Sequence, residues 1–272
     1  MAGDQNMQGK SVVVTGASSG IGRAIAERMG GAGAHVVMAG RTEAAMKESQ
    51  ATIEAAGGSA SIVTLDVRDP AAVQRLVADA ASEHGLDVMV NNAGVSHPGA
   101  IADGTPEQWR EMLEVNILAL LTGTQAAIAA MRASGNGGHI VNVSSIAAHS
   151  RESGVYGATK HAVNAITSSL RKELEDENIR VVSIMPGAVA TNFARNFEPE
   201  FIQGIGALVG VEMDWQKGDR LPDDVLEKTQ AAMEQVLAAP EDVADAVLYA
   251  ISAPLRLNIE ELVVRPAKQM NF

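Results

Sequence analysis

Residues Ser11–Thr15, Ser-Val-Val-Val-Thr, run straight into Gly16-Ala17-Ser18-Ser19-Gly20-Ile21-Gly22, and a helical pattern over Ile21–Gly31 follows. A β-branched apolar run, a glycine-rich turn and a helix form the opening of a βαβ unit. Glycines at such a turn let backbone N–H groups close on a pyrophosphate at the helix N-terminus. The spacing Gly16, Gly20, Gly22 is not the G-x-G-x-x-G of the common dinucleotide fingerprint. No Gly-Lys-Ser/Thr follows, so a P-loop nucleoside triphosphatase is excluded.

The same alternation repeats outward from this unit. Strands are expected at Ser11–Thr15, His35–Ala39, Ser61–Leu65, Asp87–Asn91, His139–Ser144, Arg180–Met185 and Ile259–Val264. Helices are expected at Ile21–Gly31, Thr42–Ala56, Pro70–His84, Pro106–Ala133, Val155–Glu177 and Pro240–Ser252. Asp69-Pro70 and Thr105-Pro106 each set a capping side chain before a proline at the first helical position. Acids open the helix after Pro240, and Gly57-Gly58 ends the second helix. Apolar strands alternating with helices predict an α/β fold with a seven-stranded parallel, doubly wound, Rossmann-like sheet and helices on both faces. Residues 1–9 read as a flexible leader, and 10–272 as one domain. Within that domain the stretch from about 188 to 238 breaks the rhythm. It carries Phe193, Phe197, Phe201, Met213 and Trp215, which predicts a lid or binding loop.

Composition narrows the function. The chain has 21 Lys+Arg against 33 Asp+Glu, a net charge of −12, which argues against nucleic acid or an anionic membrane surface as partner. It has no cysteine, so disulfides, thiolate nucleophiles, zinc–thiolate sites and iron–sulfur clusters are excluded. No apolar run approaches the ~20 residues of a membrane span, and the first residues lack the apolar core of a signal peptide. A cytoplasmic protein is expected. The histidines are scattered without acids at ligand spacing, so no metal site is expected.

The second strand ends Met38-Ala39-Gly40-Arg41-Thr42. An acid at this point would bind a ribose 2′-hydroxyl, as NAD requires. Gly40 leaves room for a 2′-phosphate, Arg41 can pair with it, and Ser18 can donate to it. The reading is NADP(H), with NAD(H) the alternative. Tyr156-Gly-Ala-Thr-Lys160 puts two functional side chains on one helix face. A free tyrosine with a pKa of ~10 needs about 4 kcal/mol to reach ~7. A cation ~4 Å away at an effective dielectric of ~20 supplies about that much.

At these residues the chain resembles the short-chain dehydrogenase/reductase family. The elements stand in the family's order: Thr15-Gly16-xxx-Gly20-x-Gly22, Asn91-Asn92-Ala93-Gly94, Leu113-Glu114-Val115-Asn116, Ser144-Ser145, Tyr156-xxx-Lys160 and Pro186-Gly187-xxx-Thr191. The resemblance implies NADP(H)-dependent interconversion of a ketone and a secondary alcohol. Tyr156 would be the acid–base group, and Ser145 would polarise the carbonyl. Lys160 would lower the Tyr156 pKa and hold the nicotinamide ribose, and Asn116 would hold a water that relays protons. The stretch from Ser145 to Tyr156 is about two residues shorter than the family's, which leaves Ser144 as the other candidate serine. The cofactor would lie along Gly16, Ser18, Ser19, Gly20, Ile21, Gly22, Arg41, Asp66, Val67, Asn92, Ala93 and Gly94. Beyond these it would meet Tyr156, Lys160, Pro186, Gly187, Val189 and Thr191, with Asp66 near the adenine and Asn91 bracing the strands behind. Ser96, His97, His149, Phe193 and Phe197 are the candidate substrate contacts. A second arginine often follows the first in NADP-using members, and here it is Thr42. The family also implies a homodimer or homotetramer. Relatives with an altered outcome would be an NAD-dependent alcohol dehydrogenase, a dehydratase or epimerase, or a cofactor-binding regulator without catalysis.

Overall fold

The computed structural model describes residues 6–211 and 215–268. Met213, one of the expected lid residues, lies outside them. Seven parallel strands stand in the order β3-β2-β1-β4-β5-β6-β7. They are β1 Ser11–Thr15, β2 His35–Gly40, β3 Ser59–Thr64, β4 Val88–Asn91, β5 Gly138–Val143, β6 Ile179–Pro186 and β7 Glu261–Val264. The helices between them are α1 Gly20–Gly31, α2 Glu43–Ala55, α3 Pro70–His84, α4 Pro106–Leu113, α5 Ala119–Ser134 and α6 Gly154–Glu173. Two short helices, α7 Pro199–Leu208 and α8 Asp223–Ala232, precede α9 Pro240–Ile251.

Successive residues of a strand face opposite sides of the sheet. Val12 and Val14 therefore join Ile25, Met29, Val36, Val247 and Leu248 in one buried layer. Val13 joins Val37, Leu76, Val77, Met89, Ile140 and Val181 in the other. Burial on both faces is why these strands read as unbroken apolar runs rather than alternating ones. The expected caps are present: Asp69 accepts from the amides of Ala71 (2.9 Å) and Ala72 (3.2 Å), and Asp242 accepts from that of Ala239 (2.9 Å). Thr105 and Gln108 form a reciprocal capping box.

Three expectations need correction. The helix predicted over Pro106–Ala133 is interrupted by a π-helical turn at Glu114–Leu118, which contains Asn116. Such a turn inserts one extra residue and reorients the side chains around it. The same stretch, Pro106–Ser134, is 29 residues long and apolar enough by composition to cross a bilayer, against the expectation that none would be. Its most apolar window is 44% buried inside the fold, where α5 packs on α3 and β4. The described part of the leader is docked: Met7 is buried and its amide donates to the Ala32 carbonyl at 2.8 Å.

The strand order reverses between β1 and β4, whose following connections leave on opposite sides. A crevice therefore opens beyond their carboxyl ends, where ligands bind in sheets of this kind.

Candidate active site

A cleft of about 1200 Å³ occupies that crevice. It exceeds the ~300–1,000 Å³ typical of one drug-sized ligand, so a dinucleotide and a second molecule can share it. Its walls include Gly16, Ser18, Ser19, Gly20, Ile21, Gly22, Arg41, Asp66, Val67, Asn92, Ala93, Gly94, Ser145, Tyr156, Pro186, Gly187, Val189 and Thr191. Lys160 and Asn116 lie behind the wall, buried, as does Asn91.

The glycine turn is fitted closely to its neighbours. A Cβ on Gly22 would lie 2.3 Å from both Asn92 Nδ2 and the Gly16 carbonyl oxygen, and one on Gly16 2.9 Å from Ala93 Cα. Glycine lets this turn press against the loop after β4. The Thr15 hydroxyl accepts from the amides of Asn92 (3.1 Å) and Ala93 (3.3 Å), and Asn92 Nδ2 donates to the Thr15 carbonyl (2.9 Å). The open backbone on the cleft side is a cradle suited to a pyrophosphate. These residues fit a dinucleotide.

At the end of β2, Gly40 sits against Ser18: a Cβ there would be 3.2 Å from Ser18 Oγ. Arg41 lines the cleft, and no carboxylate among the described residues pairs with it; Glu43 is taken by Lys47 at 2.7 Å. Asp66 is held by a forked contact from Arg68, with its shortest distance 2.6 Å, and that guanidinium keeps the Asp66 carboxyl below its ordinary range. Arg195 also lines the cleft near Arg41. Burial pulls its pKa down, and the charges of Arg41 and Arg220 add to that pull. Arg195 was not singled out by spacing, because it reaches the cleft only through tertiary folding, and Arg68 bears on the cleft only through Asp66.

At the other end, α6 presents Tyr156 to the cleft while Lys160 lies behind it, its Nζ 5.8 Å from the Tyr156 ring centroid. Lys160 Nζ donates to the Val143 carbonyl at 2.8 Å. Ser145 follows β5 and also lines the cleft, and its hydroxyl accepts from the Ala147 amide at 3.1 Å. Ser144 is buried, and its hydroxyl donates to the Lys160 carbonyl at 3.3 Å. Both serines border the cleft, and Ser145 is the one whose hydroxyl is hydrogen-bonded to the Tyr156 phenol.

The electrostatics differ from the sequence argument. Burial pushes the Tyr156 hydroxyl up to about 12, with the Ser145 hydroxyl pulling weakly the other way. Burial pushes Lys160 down to about 8. In the protein alone, then, Lys160 does not bring Tyr156 toward neutrality; the cost of forming a phenolate in this wall dominates.

Asn116 acts as a clamp. Its Oδ1 accepts from the Val95 amide at 2.9 Å, and its Nδ2 donates to the Val95 carbonyl at 2.9 Å and to Thr159 Oγ1 at 3.0 Å. It ties the loop after β4 to α6 just below Lys160. A Cβ on Gly94 would lie 3.6 Å from Asn116 Oδ1 and 3.8 Å from Lys160 Nζ, so Gly94 borders both. Asn116→Ala is expected to cost about 2–4 kcal/mol, because it strips buried Val95 groups of their partners. Urea unfolding measures it, and a loss below ~1 kcal/mol would contradict the clamp. Behind it, a buried ladder runs from Thr124 through Asn91 and Asn142 to Thr167, with links of 3.0, 2.9 and 2.9 Å. Asn142, Thr124 and Thr167 carry no motif that could have announced them.

The insertion supplies one wall of the cleft. It is anchored at its base where Val189 pairs with Ala238, and Asn196 Nδ2 donates to the Ser96 carbonyl at 2.8 Å. Phe193 packs on Tyr156 with ring centroids 5.5 Å apart, and Phe197 and Phe201 continue the wall. Trp215 is not a cleft residue; it is buried among Ile202, Val225 and Thr229 as the small core of α7 and α8. Two of the candidate substrate contacts are also displaced. Ser96 is buried behind the wall, and His97 turns to Glu111, its Nε2 2.7 Å from Oε2, so that Glu111 and not His97 lines the cleft. His149 does line it.

A family model for short chain dehydrogenase matches residues 10–200. The bovine protein dehydrogenase/reductase SDR family member 11 is 34% identical over 269 residues, 95% of this chain and 96% of that one. Among solved structures, the closed form of a serine dehydrogenase complexed with NADP+ is 31% identical with a TM-score of 0.77, covering 96% of each chain. A 7α-hydroxysteroid dehydrogenase complexed with NADH and 7-oxo glycochenodeoxycholic acid is 25% identical with a TM-score of 0.80, covering 100% of this chain and 98% of that one.

Proposed function

The chain belongs to the short-chain dehydrogenase/reductase family of oxidoreductases, and from that membership we propose that it interconverts a ketone and a secondary alcohol using NADP(H). The observation that carries the reading is the pairing, on the walls of one cleft, of the Gly16–Gly22 cradle with Ser145 and Tyr156, backed by Lys160. Bound NADPH supplies the hydride. Hydride arrival at a carbonyl carbon leaves negative charge on oxygen, so a useful site aims donors at that oxygen. Ser145 donates a hydrogen bond to it. Tyr156, held as the phenol by its raised pKa of about 12, gives up its proton as the alkoxide forms. Lys160 beneath the ring stabilises the phenolate left behind and supplies a hydrogen bond to the nicotinamide ribose. Asn116 keeps the Gly94–Val95 loop and α6 in register.

Cofactor choice rests on β2. One similar structure was solved with NADP+ and another with NADH, so likeness alone does not choose. Arg41, free of a carboxylate partner among the described residues, favours the 2′-phosphate, and Ser18 beside Gly40 can add a donor. Arg41→Asp is expected to lower the NADPH-to-NADH ratio of kcat/KM by about tenfold or more, a charge-assisted contact being worth ~1.5–3 kcal/mol. An unchanged ratio would remove Arg41 from phosphate recognition.

The insertion, about residues 188–238 of one unit that begins near residue 10, covers the substrate with Phe193, Phe197 and Phe201. That wall favours a substrate with an apolar portion. Exposed Leu113, Leu118 and Leu121 on the α4–α5 stretch, and Tyr249 on α9, are apolar faces suited to homodimer or homotetramer contacts. A cytoplasmic location goes with this reading.

A further inference from the structure

We propose that the substrate carries an anionic group, such as a carboxylate, at the end away from its carbonyl, and that Arg265 and Lys268 receive it. The inference rests on the oxidoreductase reading above and adds the charge of the substrate to it.

The protein's net charge is −12, yet its cleft is cationic. Among the described residues the walls hold Arg41, Arg195, Arg265 and Lys268 against two acids, Asp66 and Glu111. Both acids are engaged, Asp66 by Arg68 and Glu111 by His97. No carboxylate among the described residues pairs with Arg265 or Lys268, although acids outnumber cations 33 to 21 in the chain.

The four cations fall into two groups. Arg41 lines the cleft by the phosphate cradle and its charge acts on Arg195, so a dinucleotide's own phosphates account for both. Arg265 and Lys268 are not so placed. They lie just past β7, four strand positions from β1 in the sheet. At ~4.8 Å per strand that is about 19 Å from the cradle. Arg265 instead lies against Gly187: a Cβ there would be 2.8 Å from Arg265 Cβ and 3.6 Å from Ile146 Cδ1. Arg265 therefore stands on the β6–β7 side of the cleft, apart from the cradle. The Lys268 amide donates to the Gln235 carbonyl at 2.9 Å, beside the apolar cleft residues Val236 and Leu237. A nicotinamide ring offers no negative charge in this region. What remains to be matched is a molecule with an apolar body against Phe193, Val236 and Leu237 and an anion at the rim.

The test uses a matched pair, 4-oxo-4-phenylbutanoate and its methyl ester, titrated calorimetrically into the whole protein with NADP+ present. The carboxylate is expected to bind about tenfold tighter than the ester, since two rim charges converge on one anion. The preference should shrink with added salt. It should collapse to within about twofold in the Arg265→Gln/Lys268→Gln double variant, and Lys268→Glu should weaken only the carboxylate. Equal binding of the pair, binding of neither, or a preference that survives the double variant would overturn the proposal. NADPH titration of the same variants guards against misfolding: it should be unchanged. A wild-type protein that prefers the carboxylate but ignores NADPH would instead defeat the oxidoreductase reading and leave the anion site standing.

Discussion

Tyr156→Phe is expected to cut ketone reduction by about 10²–10⁴-fold while leaving NADPH affinity within about twofold. The change removes one oxygen. The ring can stay packed on Phe193 at its 5.5 Å centroid separation, and the cradle at Gly16–Gly22 is untouched. What is lost is the proton delivered to the developing alkoxide, worth about 3–5 kcal/mol of transition-state stabilisation at 1.36 kcal/mol per tenfold. Steady-state NADPH oxidation measures the first quantity and nicotinamide fluorescence the second. Near-normal turnover would show that another group supplies the proton. The raised pKa of about 12 also sets a direction for pH. The phenol that reduction needs is present throughout neutral pH, whereas alcohol oxidation needs the phenolate. Oxidation by the wild-type enzyme should therefore accelerate as pH rises, and reduction should not.

Lys160→Met should lower turnover by at least about 10²-fold and, at neutral pH, make the protein more stable. Lys160 is buried, with a pKa of about 8 against 10.5 when free. Its folded pKa is depressed, so between those values the unfolded chain binds more protons than the folded one. Stability of the wild type therefore rises with pH across that window, and the penalty for the buried cation is fully felt below pH 8. A shift of this size corresponds to about 3 kcal/mol, offset by about 1 kcal/mol for the lost hydrogen bond to Val143. The variant should thus gain about 1–2 kcal/mol at pH 7, and the gain should fade as pH approaches 10. Urea unfolding at several pH values measures it. A variant less stable at pH 7 would mean that Lys160 holds the fold together, as well as serving the chemistry.

How much of this was legible beforehand depends on whether a feature is local. β1 at Ser11–Thr15 and α3 at Pro70–His84 were readable to the residue, because a β-branched run and an Asp-Pro cap act within a few positions. The glycine turn, Arg41, Ser145, Tyr156 and Lys160 were readable because they sit in short ordered motifs. The π turn at Glu114–Leu118 was not, since apolar periodicity continues through it while the backbone shifts by one residue. Arg195, Glu111 and the partners of Asn91 in its ladder, Thr124, Asn142 and Thr167, were invisible for another reason: what they meet lies on other elements. His97 was misread as a ligand contact, and Trp215 as part of a lid, because a sequence gives the side chain and not the direction it points. Trp215 turned inward to give α7 and α8 a core, and His97 found Glu111. The direction of the Tyr156 shift was missed because a pairwise estimate in an intermediate dielectric leaves out the desolvation of the phenolate itself.

The measurement that bears most directly on the account is titration of the protein with NADPH and then with NADH, followed by nicotinamide fluorescence. The account predicts saturable NADPH binding at least about tenfold tighter than NADH, the margin a charge-assisted contact from Arg41 supplies. Equal or reversed affinities would contradict the role given to Arg41, and binding of neither would contradict the oxidoreductase reading as a whole.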